Sequence, residues 1–355
     1  MKRDQKSKAL HTNCENALVF QPLHPLSVLG VNPDSETSLV LFIEIPRPVS
    51  LLRIASMLGW RLFISAILIP VLFGLFYADH RLGQSALLLA VFAALLSVRS
   101  AWELGDLFAA RGYPIRSRLQ MIGSCATALA AWVPAWCWLT PVIEAAPLAC
   151  LGPIALSLAF CLLVLLIQEA AAFHSPGKTF ESLGASLLVI AYSGFLLGIT
   201  AQLRWVAGGE AGYLVLGSLL IAAKTCDIGA YTFGRLFGKT KMAPLLSPGK
   251  TWAGAMGGIV TSTASTWAWL TFVPSLFHPE WKPSPAWAAC VYGALVGLTG
   301  MIGDLCESLL KRDAGKKDSA ALFPGFGGLL DLLDSVLYAG PVAYALWVWL
   351  PLKTW

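Results

Sequence analysis

Leu148-Ala-Cys-Leu-Gly-Pro-Ile-Ala-Leu-Ser-Leu-Ala-Phe-Cys-Leu-Leu-Val-Leu-Leu-Ile-Gln168 contains no charged residue. As one helix at about 1.5 Å per residue it is long enough to cross a hydrocarbon core roughly 30 Å thick. Runs of similar length flank it on both sides, at 61–78, 85–102, 121–139, 183–202, 213–233, 253–273, 285–304 and 328–350. The pattern predicts an all-α polytopic integral membrane protein with nine transmembrane helices. Composition agrees: 57% of the 355 residues are hydrophobic and 13% charged, against roughly 25% charged in soluble domains. The missing polar surface implies a lipid bilayer as solvent. It argues against a soluble enzyme, a disordered chain, a secreted disulfide scaffold and a nucleic-acid-binding domain.

Basic residues fall unevenly between alternate connections. Arg111, Arg116 and Arg118 follow the second run, Lys178 the fourth, Arg235, Lys239, Lys241 and Lys250 the sixth, and Lys311, Arg312, Lys316 and Lys317 the eighth. The opposite connections hold Arg81, Arg204 and Lys282. Positive charge is retained in the cytoplasm, so the N-terminus and the basic loops are expected inside and Lys353 outside. The expected location is the cell inner membrane, crossed many times.

Residues 1–49 differ in kind from the rest of the chain. They hold Lys2, Arg3, Lys6, Lys8 and His11, then a short apolar stretch, Ser38 to Ile45, that stops at Pro46 and Pro48. This stretch is too short to span and lacks the cleavage site of a signal peptide. Residues 1–56 read as a weakly ordered cytoplasmic extension, and Met57-Leu-Gly-Trp-Arg61 reads equally well as a natural start of translation. Residues 57–210 then form N-terminal transmembrane helices, and 211–355 form the C-terminal helices with the charged segments. The eight cysteines form no C-x-x-C pair and mostly lie in apolar runs, which suits buried small hydrophobes rather than disulfides or zinc ligands.

Polar groups within apolar helices are costly and default to function. Arg61, Glu103 and Glu169 stand near run ends, where snorkelling to the interface accounts for them. Two later segments are denser. In the first, Lys224-Thr-Cys-Asp227-Ile-Gly-Ala-Tyr231, the helical spacing puts Asp227 and Tyr231 on one face, and Ser247-Pro-Gly-Lys250-Thr251-Trp252 comes after it. Gly249-Lys250-Thr251 is not a P-loop, because that motif requires glycine at 244 and the residue is Pro244. The same five letters recur at Ser175 to Thr179, as expected of a recurring loop-to-helix turn.

The second segment runs Gly303-Asp304-Leu-Cys-Glu307-Ser308-Leu-Leu-Lys311-Arg312-Asp313-Ala-Gly-Lys316-Lys317-Asp318-Ser319, then Phe323-Pro324-Gly-Phe326-Gly327-Gly328-Leu-Leu-Asp331-Leu-Leu-Asp334. Asp304, Ser308 and Lys311 share one helix face at the end of the eighth run, and Asp331 and Asp334 share one at the start of the ninth. Carboxylates among basic residues, without a His or Cys cluster, suit magnesium rather than zinc, with cations around it for phosphates. A solvated loop with positive-inside bias explains the basic residues but not two aspartates inside an apolar helix.

The string Ser308-x-x-Lys311-Arg312-x-x-x-x-Lys317-Asp318, with Phe323-Pro324-x-x-Gly327-Gly328-x-x-Asp331-x-x-Asp334, resembles the signature of the phosphatidate cytidylyltransferase (CDP-diacylglycerol synthase) family. Asp227-x-Gly-Ala-Tyr231 and Ser247-Pro-x-Lys250-Thr251-Trp252 resemble further blocks of that family in the expected order. The likeness is close over about 110 residues and covers the preceding helices in hydropathy alone. Three positions depart from the family pattern: Phe326 stands for His, Leu332 for Arg and Ala253 for Glu. They fit either a divergent branch with another substrate preference or an impaired site, and the surviving carboxylates and cations favour the divergent enzyme.

The resemblance implies transfer of CMP from CTP to phosphatidate, giving CDP-diacylglycerol and pyrophosphate for phospholipid synthesis. It implies that Asp304 and Asp331 hold Mg2+, with or without a second, monovalent cation, and that Ser308, Lys311, Arg312 and Lys317 bind phosphate oxygens. Asp227, Lys250, Asp318 and Asp334 complete the polar site, with Tyr231, Ser247 and Thr251 on the substrate side. A homodimer is the family's implication for assembly. Two other readings remain: another CTP-using lipid enzyme, such as a polyprenol kinase or a related CDP-lipid synthase, and a cation-coupled transporter. The transporter predicts inverted repeats with broken helices at mid-membrane, and no such repeat is evident in the sequence.

Overall fold

The computed structural model describes residues 51–113, 117–137, 146–174, 176–177, 179–322 and 327–354, and along 51–63 and at Ser65 and Ser117 it describes the backbone alone, so the side chain of Arg61 lies outside the description. The extension over residues 1–49, Cys14, Arg116, Ser175, Lys178 and Phe323 to Phe326 therefore lie outside the described residues.

Helix occupies each of the nine apolar runs. In order these are α1 (Leu51–Arg81), α2 (Leu87–Ala110), α3 (Ser117–Leu129), α4 (Gly152–Ala171), α5 (Thr179–Ile190), α6 (Gly212–Phe237), α7 (Trp252–Phe272), α8 (Ala286–Asp313) and α9 (Leu330–Trp349). A 3-10 turn, Pro147–Leu151, leads into α4, and α5 continues through a π turn at Ala191–Phe195 as far as Arg204. Among the described residues, six helices are long and apolar enough to cross a membrane: α2, Pro147–Ala171, Thr179–Arg204, α6, α8 and α9. Helix α1 runs unbroken through Pro70. Two others differ for physical reasons. Helix α3 has 13 residues and tightens into a 3-10 turn at Ala130–Trp132. In α7 the Gly, Ser and Thr content lowers the hydropathy, and Thr261, Thr263 and Ser265 return their hydroxyls to the carbonyls of Gly257, Ile259 and Thr261 at 2.7, 2.7 and 2.8 Å.

That composition serves packing. A Cβ on Gly257 would lie 2.3 Å from Phe233 Cβ, so α6 and α7 meet at backbone distance, as small-residue interfaces allow between membrane helices. Ser218 of α6, Tyr292 of α8 and Trp347 of α9 form a buried polar contact, Ser218 Oγ to Tyr292 Oη at 2.9 Å and Trp347 Nε1 to Ser218 Oγ at 3.3 Å. By contrast α4 is peripheral: 17% of its most apolar window is buried, against 61% for Thr179–Arg204. Its Leu156, Phe160, Leu163 and Ile167 face outward, as lipid-facing residues do.

The all-α expectation takes one correction. Between α6 and α7 lies an antiparallel hairpin, β1 (Lys241–Ala243) and β2 (Ser247–Thr251), with Lys241 opposite Thr251 and Ala243 opposite Ser247. Pro244, Pro248 and Gly249 forbid helix across this stretch. Thr251 then starts α7 by accepting from Gly254 N at 3.1 Å. Thr179 likewise opens α5, so both copies of the repeated string lead into a helix.

At the far end of α2, away from the charged segments, Asp79 is fully buried and caps the helix in trans. It accepts from Leu88 N at 2.7 Å, Leu89 N at 3.2 Å and the Tyr213 hydroxyl. Arg204, also buried, lies over the Tyr213 ring at 4.5 Å and donates to the Gly209 carbonyl. The described cysteines are all free thiols.

Candidate functional site

The site is built where α8, α9, α6 and β2 converge. Asp304, Glu307, Ser308 and Lys311 recur every three or four residues along the last turns of α8, which places them on one face. That face meets the start of α9. Lys311 Nζ bridges the two helices, 2.8 Å from Glu307 Oε2 and 2.5 Å from Asp331 Oδ1. All three side chains are at least nine-tenths buried, with exposures of 10%, 0% and 8%. Ions so desolvated persist only when paired with good geometry.

Two further lysines enter from other elements. Lys250, on β2, pairs with Asp304 at 2.8 Å and donates to the Met301 carbonyl at 3.4 Å. Lys224, on α6, lies 3.4 Å from Asp227 Oδ2, 3.0 Å from the Leu332 carbonyl and 3.1 Å from Ser335 Oγ. Arg312 donates from Nε to the Leu246 carbonyl at 3.2 Å, which joins the hairpin to the end of α8.

An oxygen from each of Asp304, Glu307 and Asp334 lies within 4.8 Å of the other two. Glu307 is fully buried, and its Oε1 has no hydrogen-bond partner among the described residues. An all-oxygen carboxylate set with an unmatched buried oxygen fits a hard divalent cation such as magnesium. Asp331, which the resemblance pairs with Asp304, is one lysine away from this group. Its Oδ2 accepts from Ser319 N at 2.9 Å, Ser319 Oγ at 2.7 Å and Gly328 N at 2.7 Å.

The remaining expected residues distribute around this centre. Ser308 Oγ is 3.5 Å from Asp304 Oδ1, and Lys317 and Asp318 are exposed in the loop after α8. Ser247 and Thr251 sit at the two ends of β2, Thr251 buried as the cap of α7. Tyr231 is not gathered in with the carboxylates: it is 62% exposed, and its hydroxyl accepts from Arg235 Nη1 at 2.9 Å. Ala253 lies in the first turn of α7, and Leu332 in the first turn of α9.

Glu103 is the largest correction. Its expected snorkelling is excluded, because it is fully buried on α2. Oε1 accepts from Leu329 N at 3.0 Å and pairs with Arg99 at 2.9 Å, while Oε2 accepts from Leu330 N at 2.8 Å and Ser319 Oγ at 3.0 Å. Glu307 and Lys224, to which the sequence assigns no role, also join the site. The first carried a signal in its spacing from Asp304, and the second in being a lysine deep in an apolar helix. Glu169, half-buried, accepts from Ser182 Oγ at 3.0 Å.

The family description that matches is the cytidylyltransferase family, over residues 60–350. Over 135 residues the chain is 37% identical to the uncharacterised protein YnbB of Escherichia coli K12, covering 38% of this chain and 43% of that one. Over 178 residues it is 35% identical to the phosphatidate cytidylyltransferase of Mycobacterium bovis, covering 50% of this chain and 54% of that one. Over 180 residues it is 33% identical to the Haemophilus influenzae protein of the same name, covering 51% and 61%. The chain thus spans about half the length of the curated relatives it matches. The family match reaches from the first helix into the last, well beyond the charged segments, and the chain belongs to the cytidylyltransferase family.

Proposed function

We propose that this protein transfers CMP from CTP to phosphatidate, releasing pyrophosphate and forming CDP-diacylglycerol. The observation that carries the reading is the meeting of Asp304, Glu307 and Asp334 with Lys250 and Lys311 at the ends of buried helices. Such a centre can hold a divalent cation and present cations to phosphates on the same spot.

In the reaction a phosphate oxygen of the lipid attacks the α-phosphorus of CTP. A new P–O bond forms as the bond from that phosphorus to the β-phosphate bridging oxygen breaks, and the electron pair leaves on pyrophosphate. Magnesium, when bound, neutralises nucleotide phosphate charge and stabilises the leaving group. The protein's own task is alignment and charge balance, without a covalent intermediate. Asp304, common to the resemblance and to the carboxylate cluster, would hold that ion, and Asp331 would be the second ligand by the resemblance. Ser308, Lys311, Arg312 and Lys317 hold phosphate oxygens, with Asp227, Lys250, Asp318 and Asp334 completing the polar surface. Tyr231, Ser247 and Thr251 belong to the substrate side. A second, monovalent ion and a homodimer belong to the same proposal.

The basic loops support a cytoplasmic site, a cytoplasmic N-terminus and nine spans in the inner membrane. CTP then arrives from the cytoplasm, and phosphatidate lies in the adjoining leaflet. The departures at Phe326, Leu332 and Ala253 favour a second reading within the same chemistry, a CDP-lipid synthase for another lipid phosphate. Purified protein with magnesium, labelled CTP and phosphatidate tests both. CDP-diacylglycerol is expected; labelled CDP-lipid from another acceptor alone selects the second reading, and CDP with a phosphorylated lipid marks a kinase. Activity that survives Asp304→Asn and Asp331→Asn refutes the site.

A further inference from the structure

Helix α9 starts without a cap of its own, since Leu329 occupies that position and offers no side-chain oxygen. The first amides of a helix need acceptors, and a carboxylate there also meets the positive end of the helix dipole. Glu103 supplies both from α2, across 226 residues of sequence, through its bonds to Leu329 N and Leu330 N. The same carboxylate holds Ser319, whose hydroxyl lies 3.0 Å from Glu103 Oε2 and 2.7 Å from Asp331 Oδ2. One hydroxyl has one proton, so Ser319 bonds to both acids only by sharing it, and its backbone N fixes Asp331 as well. Asp331 in turn holds Lys311. A Cβ on Gly328 would lie 2.1 Å from Ser319 Oγ and 2.4 Å from Glu103 Oε2, so the loop closes on this pair without spare room. Two exposed ion pairs run the same way, Asp106 to Lys316 at 2.5 Å and Arg111 to Asp313 at 3.1 Å.

We propose that Glu103 is a positioning residue for the reaction: it latches Ser319 and the Gly328–Leu330 entry to α9 onto α2 so that Asp331 and Lys311 stand where phosphate chemistry needs them. The machinery is then not confined to residues 211–355, because one of its supports comes from the second helix of the chain. The proposal rests on the cytidylyltransferase reading of the site.

The test compares the full-length protein with Glu103→Gln, Ser319→Ala, their double variant and Gly328→Ala, in nanodiscs, with CTP and phosphatidate. Each single variant is expected to lower kcat about 10- to 100-fold, the range for residues that orient functional ones, with KM for CTP changed less than about threefold. The double variant should be no slower than the slower single, because both act through one contact. A purely structural role predicts loss of thermal stability with kcat preserved in the folded fraction, and that result overturns the proposal. So does kcat within about twofold of wild type in Glu103→Gln, or independent, multiplying effects. If Glu103→Gln does not fold, Ser319→Ala and Gly328→Ala carry the same comparison. If the wild type makes no CDP-lipid, the cytidylyltransferase reading fails, and the latch is read by hydrogen exchange at Ser319 and in residues 328–331. Protection there unchanged by Glu103→Gln overturns it.

Discussion

Replacing Lys311 by Met removes the cation that two buried carboxylates share. Glu307 has 0% side-chain exposure and Asp331 8%, at 2.8 and 2.5 Å from the ammonium. Breaking a buried pair by removing one partner costs about 3–5 kcal/mol. Asp331 keeps three donors, from Ser319 and Gly328. The penalty therefore concentrates on Glu307, whose Oε1 already lacks a partner among the described residues. The lower end, about 3 kcal/mol, applies, equivalent to roughly a hundredfold shift in the folding equilibrium. Denaturant unfolding in mixed micelles measures it, alongside the variant pair Glu307→Gln/Lys311→Met. Neutralising the acid should restore most of the loss in the pair, and added magnesium should raise the Tm of Lys311→Met more than that of wild type. Lys311→Met within about 1 kcal/mol of wild type, or no recovery in the pair, refutes the buried-charge reasoning.

Lys224→Met should lower turnover about tenfold by removing the cation that joins Asp227 to the Leu332 carbonyl. Leu332→Arg in that background should recover part of it by returning a charge to the start of α9, and the same assay with no recovery speaks against shared charge. Asp79→Ala leaves two amides of α2 and the Tyr213 hydroxyl without their acceptor. The expected loss is about 1–3 kcal/mol in unfolding, with kcat in the folded fraction unchanged. Gly257→Ala forces a methyl to 2.3 Å from Phe233, so about 1–3 kcal/mol of overpacking should appear as a lowered Tm.

Patterns local in sequence were the legible ones. Asp304, Ser308 and Lys311 share a face because helical spacing puts them there, and the apolar runs became helices because backbone in lipid must satisfy itself. Lys311 meeting Asp331 followed from the loop that returns α9 beside α8. What escaped was long-range. Nothing near Glu103 distinguishes a snorkelling acid from one that reaches Ser319, 216 residues later. The hairpin escaped because its strands are short and sit between two spans, where periodicity has too few residues to register. Tyr231 shared the helical spacing of Asp227 yet faces outward, since helical register leaves open which neighbour each side chain meets.

Helix α7 also bears on biogenesis. Its Gly, Ser and Thr leave it too polar to be picked out beside the six apolar helices, so as an isolated segment at the translocon it would partition into lipid poorly. Thr261, Thr263 and Ser265 return their hydroxyls to its own carbonyls while Ser262 donates to Gly293 of α8, and of its two extensive helix partners, α6 and α8, only α6 precedes it in synthesis. On the nine-span proposal, residence of α7 in the bilayer thus depends on α6 being there first, with the short hairpin as tether. Order of emergence from the ribosome becomes part of how this centre is assembled: a substitution that loosens the α6–α7 seam would be felt first as mistargeted or degraded chains, before any catalytic step is reached.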